Sequence, residues 1–294
     1  MPDSGPPGID ILRLAAFTTD PSGGNPAGVV IASLVVSDVE MQRIASDVGY
    51  SETGFLTPVV DGGSSLDGRR FRVRYFSPVA EVPFCGHVTI AAGVALADRL
   101  GEGRFELVTN GGIVPVDVVR DAEGRLRATL TSVAPRVKQP ADDYVDAVLA
   151  ALHWSRSDLD PSLPPAVAHA GNWHLVMAVR DRATLTDLAY DFDDLRRLML
   201  AEDLTTVQLV WRESVDVFRS RNPFPVGGVV EDPATGAAAA ALGAYLRHHL
   251  QAVAPSRFSI LQGVEMGRPS LLIVELVDGE PGIRVSGTAV PIPS

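Results

Sequence analysis

Short apolar runs, each bounded by Gly, Pro, Asp or Asn, recur along the whole chain and are typical of β-strands. In the first half they lie at residues 11–17, 28–36, 71–76, 113–119 and 126–131. In the second half they lie at residues 174–179, 205–211, 270–276 and 282–287. Together with the helical patterns between them, these runs predict a strand-rich α/β protein.

Two amphipathic helices interrupt the strands. Residues 37–40 read Ser-Asp-Val-Glu, the pattern of a capping box, in which the Ser37 hydroxyl and the Glu40 carboxylate bind free backbone N–H groups. The apolar residues that follow have helical spacing and are Met41, Ile44, Ala45 and Val48. We expect this helix to end at Gly49 and a second amphipathic helix to span about residues 192–201.

Two further helices, at residues 88–100 and 236–250, are apolar on nearly every face, so both are expected to be buried. Their starts are alike, because Cys85-Gly86-His87 aligns with Thr235-Gly236-Ala237 at a constant offset of 150 residues. The alignment predicts an internal duplication, in which each half wraps a curved sheet round one helix and both helix starts face a cleft. The alternative is that tight packing alone demands small residues in both helices. Residues 132–142, polar and twice interrupted by proline, are the candidate linker.

Composition limits the possible ligands. The chain has 294 residues, 46% of them hydrophobic, which suffices for one large domain or two ordinary ones. Its formal net charge of −11 argues against nucleic acid or an anionic membrane as a partner and favours small molecules. The longest uncharged apolar run, residues 236–246, is well below the roughly 20 residues that cross a bilayer. With one cysteine and no visible secretory signal, we expect a cytoplasmic protein without an internal disulfide.

Cys85, the one cysteine, has two possible roles. A thiol at a helix start beside a histidine could have the lowered pKa of a nucleophile or an acid–base group. Its apolar neighbours Pro83 and Phe84 favour instead a small side chain that packs, and we adopt this interpretation. A racemase that needs two thiols is excluded, because the chain has a single cysteine.

Gly86 and His87 open the first apolar helix. Glycine lets a ligand approach the backbone, and the free N–H groups of a helix start form a site for a carboxylate. His87 would lie within reach of such a ligand, with a pKa suited to proton transfer near neutral pH. The alternative is a histidine that only caps its helix.

Two carboxylates are the remaining candidates. Asp232 precedes Pro233, and the pair is either an N-cap with a first-turn proline or a carboxylate held at the second helix start, opposite His87. Glu52 follows a helix and enters an apolar strand, where partial desolvation would raise its pKa and let it shuttle a proton. Its alternative is a solvent-exposed charge on an edge strand.

Motifs for metals and cofactors are weak. His153, His169 and His174 lack ligand spacing with cysteine or carboxylates, so we predict no metal site. The pair His248-His249 lies at a predicted helix end, where it is expected to act in capping. Residues 23–26, Gly-Gly-Asn-Pro, lack the spacing of a phosphate loop and predict a tight turn.

Five segments form an ordered set of motifs. They are residues 17–30 (FTTDPSGGNPAGVV), 51–56 (SETGFL), 74–96 (RYFSPVAEVPFCGHVTIAAGVAL), 218–238 (FRSRNPFPVGGVVEDPATGAA) and 262–270 (QGVEMGRPS). In these segments, which span nearly the whole chain, the sequence resembles the phenazine-biosynthesis PhzF-like family, which shares the diaminopimelate epimerase fold.

The resemblance implies two pseudo-symmetric domains, each a mixed barrel-like β-sheet wrapped around a central apolar helix. Residues 1–131 with 282–294 would form the first domain, and residues 132–281 the second. The active site would lie in the cleft between them. The resemblance also implies chemistry without a cofactor and, commonly, a homodimer.

Matched motif to motif, the resemblance makes Glu52 the catalytic acid/base and gives His87 and Asp232 substrate contact and proton handling. The positions implied to bind substrate are Ser51, Gly86, Gly236 and Ala237. The family pattern usually reads D-P-x-T-G-S, so Ala237 replaces a serine whose hydroxyl would contact the substrate. This departure puts in question the usual phenazine precursor, a dihydro-hydroxyanthranilate, as the substrate here.

We therefore expect an isomerase that shifts a proton and a double bond in a small cyclic or unsaturated amino or carboxylic acid, in phenazine-like or other natural-product biosynthesis. One carboxylate in a dry cleft can act as both base and acid, so the reaction needs no cofactor. The alternatives are a cofactor-free epimerase of the same fold, a thiol-dependent enzyme that uses Cys85, and a small-carboxylate-binding protein that lost its chemistry with the serine.

Overall fold

A computed structural model of the chain describes residues 9–33, 35–59, 68–251 and 256–293. The described chain divides into two compact units at residues 131/132 and 285/286, and the residues from 286 onward belong to the first unit. The terminal residues 1–8 and 294 of the predicted first domain lie outside the described residues.

Six α-helices and sixteen β-strands are present in the described residues. The helices are α1 (Asp38–Val48), α2 (Gly86–Leu100), α3 (Asp142–Ala151), α4 (Arg182–Thr186), α5 (Phe192–Ala201) and α6 (Gly236–Leu250). The strands are β1 (Ile9–Ala16), β2 (Asn25–Ala32), β3 (Glu52–Pro58), β4 (Arg70–Phe76), β5 (Glu81–Val82), β6 (Gly103–Thr109), β7 (Gly112–Arg120), β8 (Leu126–Thr131), β9 (Arg136–Lys138), β10 (Ala166–His169), β11 (Trp173–Val179), β12 (Thr206–Arg212), β13 (Val217–Arg221), β14 (Arg257–Gln262), β15 (Ser270–Glu275) and β16 (Arg284–Pro291).

The sheet of the first unit closes into a barrel. Its strands follow the order β1-β2-β3-β4-β6-β7-β8-β16, and β16 pairs with β1, so that Ala15 lies opposite Val290. The β2–β3 and β4–β6 pairs are parallel and pairs such as β1–β2 and β6–β7 are antiparallel, so the sheet is mixed. The predicted fold class, a mixed α/β protein with a barrel-like sheet, is confirmed.

Helix α2 lies inside this barrel, with contacts to β1, β2, β3, β7 and β8. All residues from Gly86 to Ala97 are buried, as expected for a helix that is apolar on every side. Gly93 lets the helix approach the sheet closely, because a Cβ atom at this position would lie 2.7 Å from Cγ1 of Val116 on β7. The helix begins at Gly86, two residues before the predicted start at residue 88.

Helix α1 covers the opposite face of β3. Alternate residues of a strand point to opposite faces, so Phe55 packs in the cluster of α1 whereas Gly54 faces α2. The Ser37 hydroxyl accepts a hydrogen bond from the Glu40 backbone N–H, and Gly49 ends the helix in a left-handed conformation, both as predicted. The other half of the predicted capping box is wrong, because the Glu40 carboxylate accepts hydrogen bonds from the Arg43 guanidinium instead.

The second unit is a mixed sheet in the order β9-β10-β11-β12-β13-β14-β15. One face packs against α3 and α5, in a cluster that includes Leu175, Leu209, Val148 and Leu195. The other face meets α6, which contacts β9, β10, β11 and β15. His174 precedes Leu175 on β11 and therefore lies on the face toward α6.

Helix α6 repeats the features of α2. Both helices have 15 residues, and α6 is buried from Gly236 to Leu246. Gly243, at the position equivalent to Gly93, has the same role, because a Cβ atom there would lie 2.7 Å from Cγ2 of Ile283. The equal lengths and the matching close approaches favour the predicted internal duplication.

Local predictions around the second helix start and the linker need correction. Asp232 is not an N-cap with Pro233 in the first turn, because α6 begins at Gly236 and its N-cap is Thr235. The candidate linker 132–142 contains β9 and leads directly into α3, a helix that the sequence analysis did not predict. Among the helices that the structure describes, none combines the length and apolar character that a membrane span requires.

Candidate active site

The start of α2 carries His87 into the barrel of the first unit. The N-cap is Cys85, in an extended conformation with φ −142°, and its side chain makes no capping hydrogen bond. The Thr89 hydroxyl donates to the Cys85 carbonyl at 2.7 Å and lies 2.8 Å from the Tyr75 hydroxyl on β4. This chain of hydrogen bonds fixes the first turn of α2 against the sheet.

Glu52 is the first residue of β3, which pairs with β2 on one side and β4 on the other. The alternative of an edge-strand charge is therefore wrong, and the side chain is only 13% exposed. Glu52 shares a strand face with Gly54, whose lack of a side chain lets β3 approach Val88 in the first turn of α2. Local strand geometry thus directs the carboxylate toward the start of α2.

Glu52 and His87 meet at this point. The Glu52 Oε2 atom lies 3.6 Å from Nε2 of His87, and the Ser51 Oγ atom lies 3.5 Å from the same nitrogen. Burial lowers the pKa of His87, while the charge of Glu52 and a hydrogen bond to the Pro26 carbonyl oppose that shift. Because burial prevails, His87 is neutral near neutral pH and can donate or accept a hydrogen bond.

Cys85 and Asn25 complete the surroundings of His87. The Cys85 Sγ atom lies 3.3 Å from Nδ1 of His87 and 3.7 Å from Oε2 of Glu52. The thiol is buried, as the packing interpretation predicts, yet it contacts two candidate site residues. Asn25, whose Nδ2 atom lies 3.2 Å from His87 Nδ1, was missed because residues 23–26 were interpreted only as a turn.

Asp232 lies in the second unit, in a hydrogen-bonded group at the start of α6. The Thr235 hydroxyl donates to Asp232 Oδ2 at 2.5 Å, and the Gln262 side-chain amide donates to the Asp232 carbonyl at 2.7 Å. Gln262 also accepts a hydrogen bond from the Thr235 backbone N–H. The Thr235 hydroxyl thus bonds the Asp232 carboxylate, and Gln262 bonds the Asp232 backbone and Thr235, so the three residues form one network. Sequence reasoning did not find Gln262, although it lies in one of the family motifs.

Gly236 and Ala237 form the first turn of α6, and both are buried. A side-chain hydroxyl at position 237 would therefore lie in a confined space in the first turn of α6. Adjacent to the same helix start, Glu231 forms a bidentate ion pair with Arg221, with the shortest contact at 2.6 Å. This ion pair anchors the segment that leads into Asp232.

His174 is buried on the face of the second sheet that α6 covers. Its Nδ1 atom lies 2.8 Å from the Thr206 hydroxyl, and burial lowers its pKa to about 3. Gln208, two residues further along β12, has neither of its amide atoms hydrogen-bonded within the described part of the chain. These polar groups lie inside the fold and do not belong to the residues predicted for the site.

Comparison with known proteins identifies the relatives of the chain. The sequence model of the PhzC-PhzF family, described as phenazine biosynthesis-like protein, matches residues 14–294. The chain belongs to this family. The family prediction made from the five motifs is therefore confirmed.

The relatives are named as isomerases. The chain is 30% identical to an uncharacterized isomerase of Bacillus subtilis (strain 168), over 96% of each chain. It is 32% identical to a trans-2,3-dihydro-3-hydroxyanthranilate isomerase of Pseudomonas chlororaphis, over 94% of each chain. The crystal structure of a PhzF-family phenazine biosynthesis protein from Bacillus anthracis matches with a TM-score of 0.82 and 26% identity, over 97% of each chain. The chain is accordingly an isomerase of the PhzF type.

Proposed function

We propose that the protein is a cofactor-independent isomerase that moves a proton, and with it a double bond, in a small cyclic or unsaturated amino or carboxylic acid. In this proposal Glu52 takes the proton from one carbon atom and returns it to another. His87 assists at the same site, and Asp232 is a second proton-handling group. The observation that supports the proposal best is the contact between the Glu52 carboxylate and the buried His87 ring.

A single carboxylate can carry the whole proton shift. Glu52 would remove a proton from a carbon next to a double bond, and the electron pair of that C–H bond would move into the conjugated system. The protonated Glu52 would then deliver a proton to the far end of that system, which leaves the double bond shifted and the carboxylate regenerated. Since 13% of the side chain is exposed, the acquired proton can exchange with solvent before the return step, so a reaction in D₂O places deuterium on the substrate.

His87 is suited to stabilise the charge that develops on the substrate. Its ring is held by Asn25 and by the Pro26 carbonyl, so its position does not depend on the substrate. A neutral imidazole held in place can donate a hydrogen bond to an enolate oxygen. Because the imidazole is uncharged, it forms no ion pair that would slow the release of the product. Ser51, whose hydroxyl lies 3.5 Å from His87 Nε2, is proposed as a substrate-binding neighbour.

The two helix starts are proposed to bind the polar groups of the substrate. N–H groups in the first turn of a helix favour a carboxylate, and Gly86 and Gly236 leave the backbone accessible. Asp232, whose carboxylate accepts a short hydrogen bond from Thr235, is proposed to handle a proton or contact an amino group.

The shared cleft, the homodimer and the cytoplasmic location stay predictions.

The substrate class follows from the relatives and from Ala237. The Pseudomonas chlororaphis relative is named for trans-2,3-dihydro-3-hydroxyanthranilate, a cyclic unsaturated amino acid, so this compound is the first to be tested. Because Ala237 cannot supply a hydroxyl, we propose that the group of the preferred substrate that lies against residue 237 is apolar. A panel of cyclic and acyclic unsaturated amino and carboxylic acids would cover both cases.

The principal test is incorporation of solvent deuterium. We expect the protein in D₂O to exchange one carbon-bound proton of a true substrate and to form its isomer, as followed by proton NMR. Glu52→Gln is expected to abolish both exchange and isomerisation while the circular dichroism spectrum is retained. Glu106→Gln is the matched control, since Glu106 is a partly buried carboxylate of the same unit, paired with Arg70 at 3.6 Å. Full exchange by Glu52→Gln would refute the proposal.

A second candidate function is a small-carboxylate-binding protein without chemistry, and the loss of the serine hydroxyl at Ala237 favours it. Under this function a panel compound would raise the melting temperature of the protein, yet no carbon-bound proton would exchange in D₂O. An epimerase of the same fold would instead exchange one proton and return the inverted stereoisomer without a shifted double bond. The same NMR experiment distinguishes the three cases.

A further inference from the structure

Gln262 ends β14 beside the segment that leads into α6, and it is buried. Gly263, the next residue, has a left-handed backbone with φ 73°. An added Cβ atom at Gly263 would lie 2.6 Å from the Pro233 carbonyl oxygen, so the two segments are in direct backbone contact. This contact brings the Gln262 amide within hydrogen-bond distance of Asp232 and Thr235.

Two backbone groups determine the orientation of the Gln262 amide. The Asp232 carbonyl can only accept a hydrogen bond, so the amide atom 2.7 Å from it is the nitrogen Nε2. The Thr235 backbone N–H can only donate one, so the amide atom 3.2 Å from its nitrogen is the oxygen Oε1. The opposite orientation would place two acceptors together at one end and two donors at the other. A single orientation of the amide therefore satisfies both contacts.

The direction of the next two hydrogen bonds follows from this amide. Nε2 carries two hydrogens, and besides the Asp232 carbonyl it reaches the Thr235 hydroxyl, at 3.0 Å, as a donor. The hydroxyl has one hydrogen of its own, which it donates to Asp232 Oδ2 at 2.5 Å. A separation of about 2.5–2.7 Å is typical of a hydroxyl bonded to an ionised carboxylate. The chain of donors therefore runs from Gln262 through Thr235 and ends on the charged carboxylate of Asp232.

This direction opposes protonation of Asp232. A hydrogen bond donated to a carboxylate favours its charged form over the neutral acid, and a proton on Oδ2 would face the hydrogen of the Thr235 hydroxyl. Without Gln262, the hydroxyl could turn and accept a hydrogen bond from the protonated acid. Gln262 disfavours that alternative, because its own bond takes up one acceptor position of the hydroxyl and directs the hydroxyl hydrogen at Asp232.

The neighbouring elements of the second unit carry charged groups as well. The end of β13 carries Arg221, whose charge is paired with that of Glu231 at 2.6 Å. The turn between β14 and β15 carries Glu265, which is exposed, and Arg268. Helix α6 has no titratable side chain before Tyr245. All of these groups are retained in every variant of the test, so differences between the variants report on the hydrogen bonds.

We propose that Gln262 is a positioning residue of the isomerase: it directs the Thr235 hydroxyl at Asp232 and thereby keeps Asp232 ionised during the reaction. The catalytic part rests on the proposed function, in which Asp232 handles a proton or contacts an amino group. An ionised Asp232 accepts a hydrogen bond or a proton from an amino or hydroxyl group of the substrate, and it has no proton to give. Delivery of a proton to carbon then belongs to Glu52 alone.

The ionisation of Asp232 is followed first without any substrate. Carboxyl carbon NMR of protein isotopically labelled at aspartate reports it, and the Asp232 signal is assigned by its loss in Asp232→Asn. We expect Thr235→Val to raise the pH at which Asp232 takes up its proton by about one to two units, the value of one hydrogen bond to a charged group. Gln262→Met, which replaces the amide by an unbranched apolar side chain, should raise it by about half a unit to one unit.

The double variant shows whether Gln262 acts through the hydroxyl. Adding Gln262→Met to Thr235→Val should raise that pH no further, and a full additional shift would overturn the proposed route. Gln208→Met is the matched control, since Gln208 is a buried glutamine of the same unit whose amide atoms have no hydrogen-bond partner among the described residues. Its Asp232 signal should titrate as in the wild type. Wild-type titration of Asp232 in folded Gln262→Met would overturn the proposal.

A measurement on the wild-type protein keeps the proposal testable if Gln262→Met fails to fold. Both hydrogens of Nε2 are donated to buried acceptors, so the Gln262 side-chain amide protons should exchange slowly with solvent in proton NMR. Rapid exchange of these protons would overturn the proposed chain of hydrogen bonds.

The catalytic part is tested by the pH dependence of deuterium exchange into a panel substrate. We expect exchange to fall as Asp232 takes up its proton, and the acid limb of kcat/KM to move in Thr235→Val and Gln262→Met as the NMR signal does. An unmoved limb, or exchange that rises as Asp232 is protonated, would overturn the catalytic part. If no compound exchanges in the wild type, the proposed function fails, and the NMR titration still reports on Gln262. The two failures are therefore distinguishable.

Discussion

Gly54 of β3 packs directly against Val88 in the first turn of α2, so closely that an added Cβ atom would lie 2.6 Å from Cγ1 of Val88. No ordinary Cβ contact is that short, so any side chain at position 54 must push the strand and the helix apart. Glu52 lies two residues before Gly54, and His87 directly precedes Val88. The separation between carboxylate and imidazole is therefore controlled by a glycine that touches neither.

Gly54→Ala is expected to lower both stability and activity. Overpacking should reduce the free energy of unfolding by about 1–3 kcal/mol, and displacement of Glu52 should reduce kcat by roughly tenfold to a hundredfold. Urea denaturation and turnover of a panel substrate measure the two effects. Gly111→Ala is the control, because its added Cβ atom would meet only the Thr109 hydroxyl, at 3.7 Å. Normal kcat in Gly54→Ala would show that this contact does not position Glu52.

Thr235→Val should destabilise the second unit. The substitution keeps the shape of the side chain but removes the hydroxyl that bonds the Asp232 carboxylate and the Gln262 amide, both buried. Two buried polar groups then lose a partner, so we expect the free energy of unfolding to fall by about 1–3 kcal/mol. Thr235→Ser retains the hydroxyl and should recover most of the loss in urea denaturation. Equal stability of the Val and Ser variants would contradict the assigned role of the hydroxyl.

Ala237→Ser tests the departure from the family pattern. A serine hydroxyl in the first turn of α6 should improve kcat/KM for trans-2,3-dihydro-3-hydroxyanthranilate by about tenfold to a hundredfold, the value of one hydrogen bond to a charged group. Steady-state kinetics on the compound measures the gain. Ala241→Ser, one turn further along the same buried helix, should give no gain. A similar kcat/KM for wild type and Ala237→Ser would mean that position 237 does not contact this substrate.

Stability should fall as the solution is acidified, partly because of His174. Burial lowers its pKa to about 3, so below pH 6.5, the ordinary value, the unfolded chain binds a proton that the folded chain does not. At about 1.36 kcal/mol per pH unit, this group should remove about 2 kcal/mol of stability between pH 6.5 and pH 5. The contribution of His174 to the free energy of unfolding is fully present above pH 6.5 and is lost progressively as the pH falls to about 3.

Urea denaturation at pH 7 and pH 5 measures this loss. We expect His174→Asn, which keeps a polar atom near the Thr206 hydroxyl, to lose about 2 kcal/mol less than the wild type over that interval. His153→Asn is the control, since His153 is exposed and has a left-handed backbone (φ 57°) that asparagine tolerates. The same pH dependence in His174→Asn and wild type would refute the assignment.

The periodic elements were the most predictable part of the fold. The residues predicted to be buried in α1 are those that are buried, and α5 and α6 have their predicted bounds. Errors occurred where side chains had several possible partners. Glu40 pairs with Arg43 rather than with the backbone, and the Asp232 carboxylate accepts a hydrogen bond from the Thr235 hydroxyl rather than acting as the N-cap of α6. Such choices depend on neighbours that a local pattern does not contain.

The geometry of the candidate site was accessible from the sequence only in part. The proximity of Glu52 and His87 was suggested by the family motifs, not by spacing, because strand pairing brings together residues that are far apart in the chain. The same pairing explains why the contacts of Asn25 with His87 and of Cys85 with Glu52 were missed. A cysteine with apolar neighbours in sequence can still have polar neighbours in space.

The pairing of β1 with β16 has a consequence for the order in which the protein is made. The barrel of the first unit closes only when residues 286–291 are available, and these follow the whole of the second unit in the chain. The second unit is continuous in sequence from residue 132 to residue 285 and is fully synthesised before then. The barrel therefore cannot close until the whole of the second unit has been synthesised, which departs from the usual N-terminal-first order.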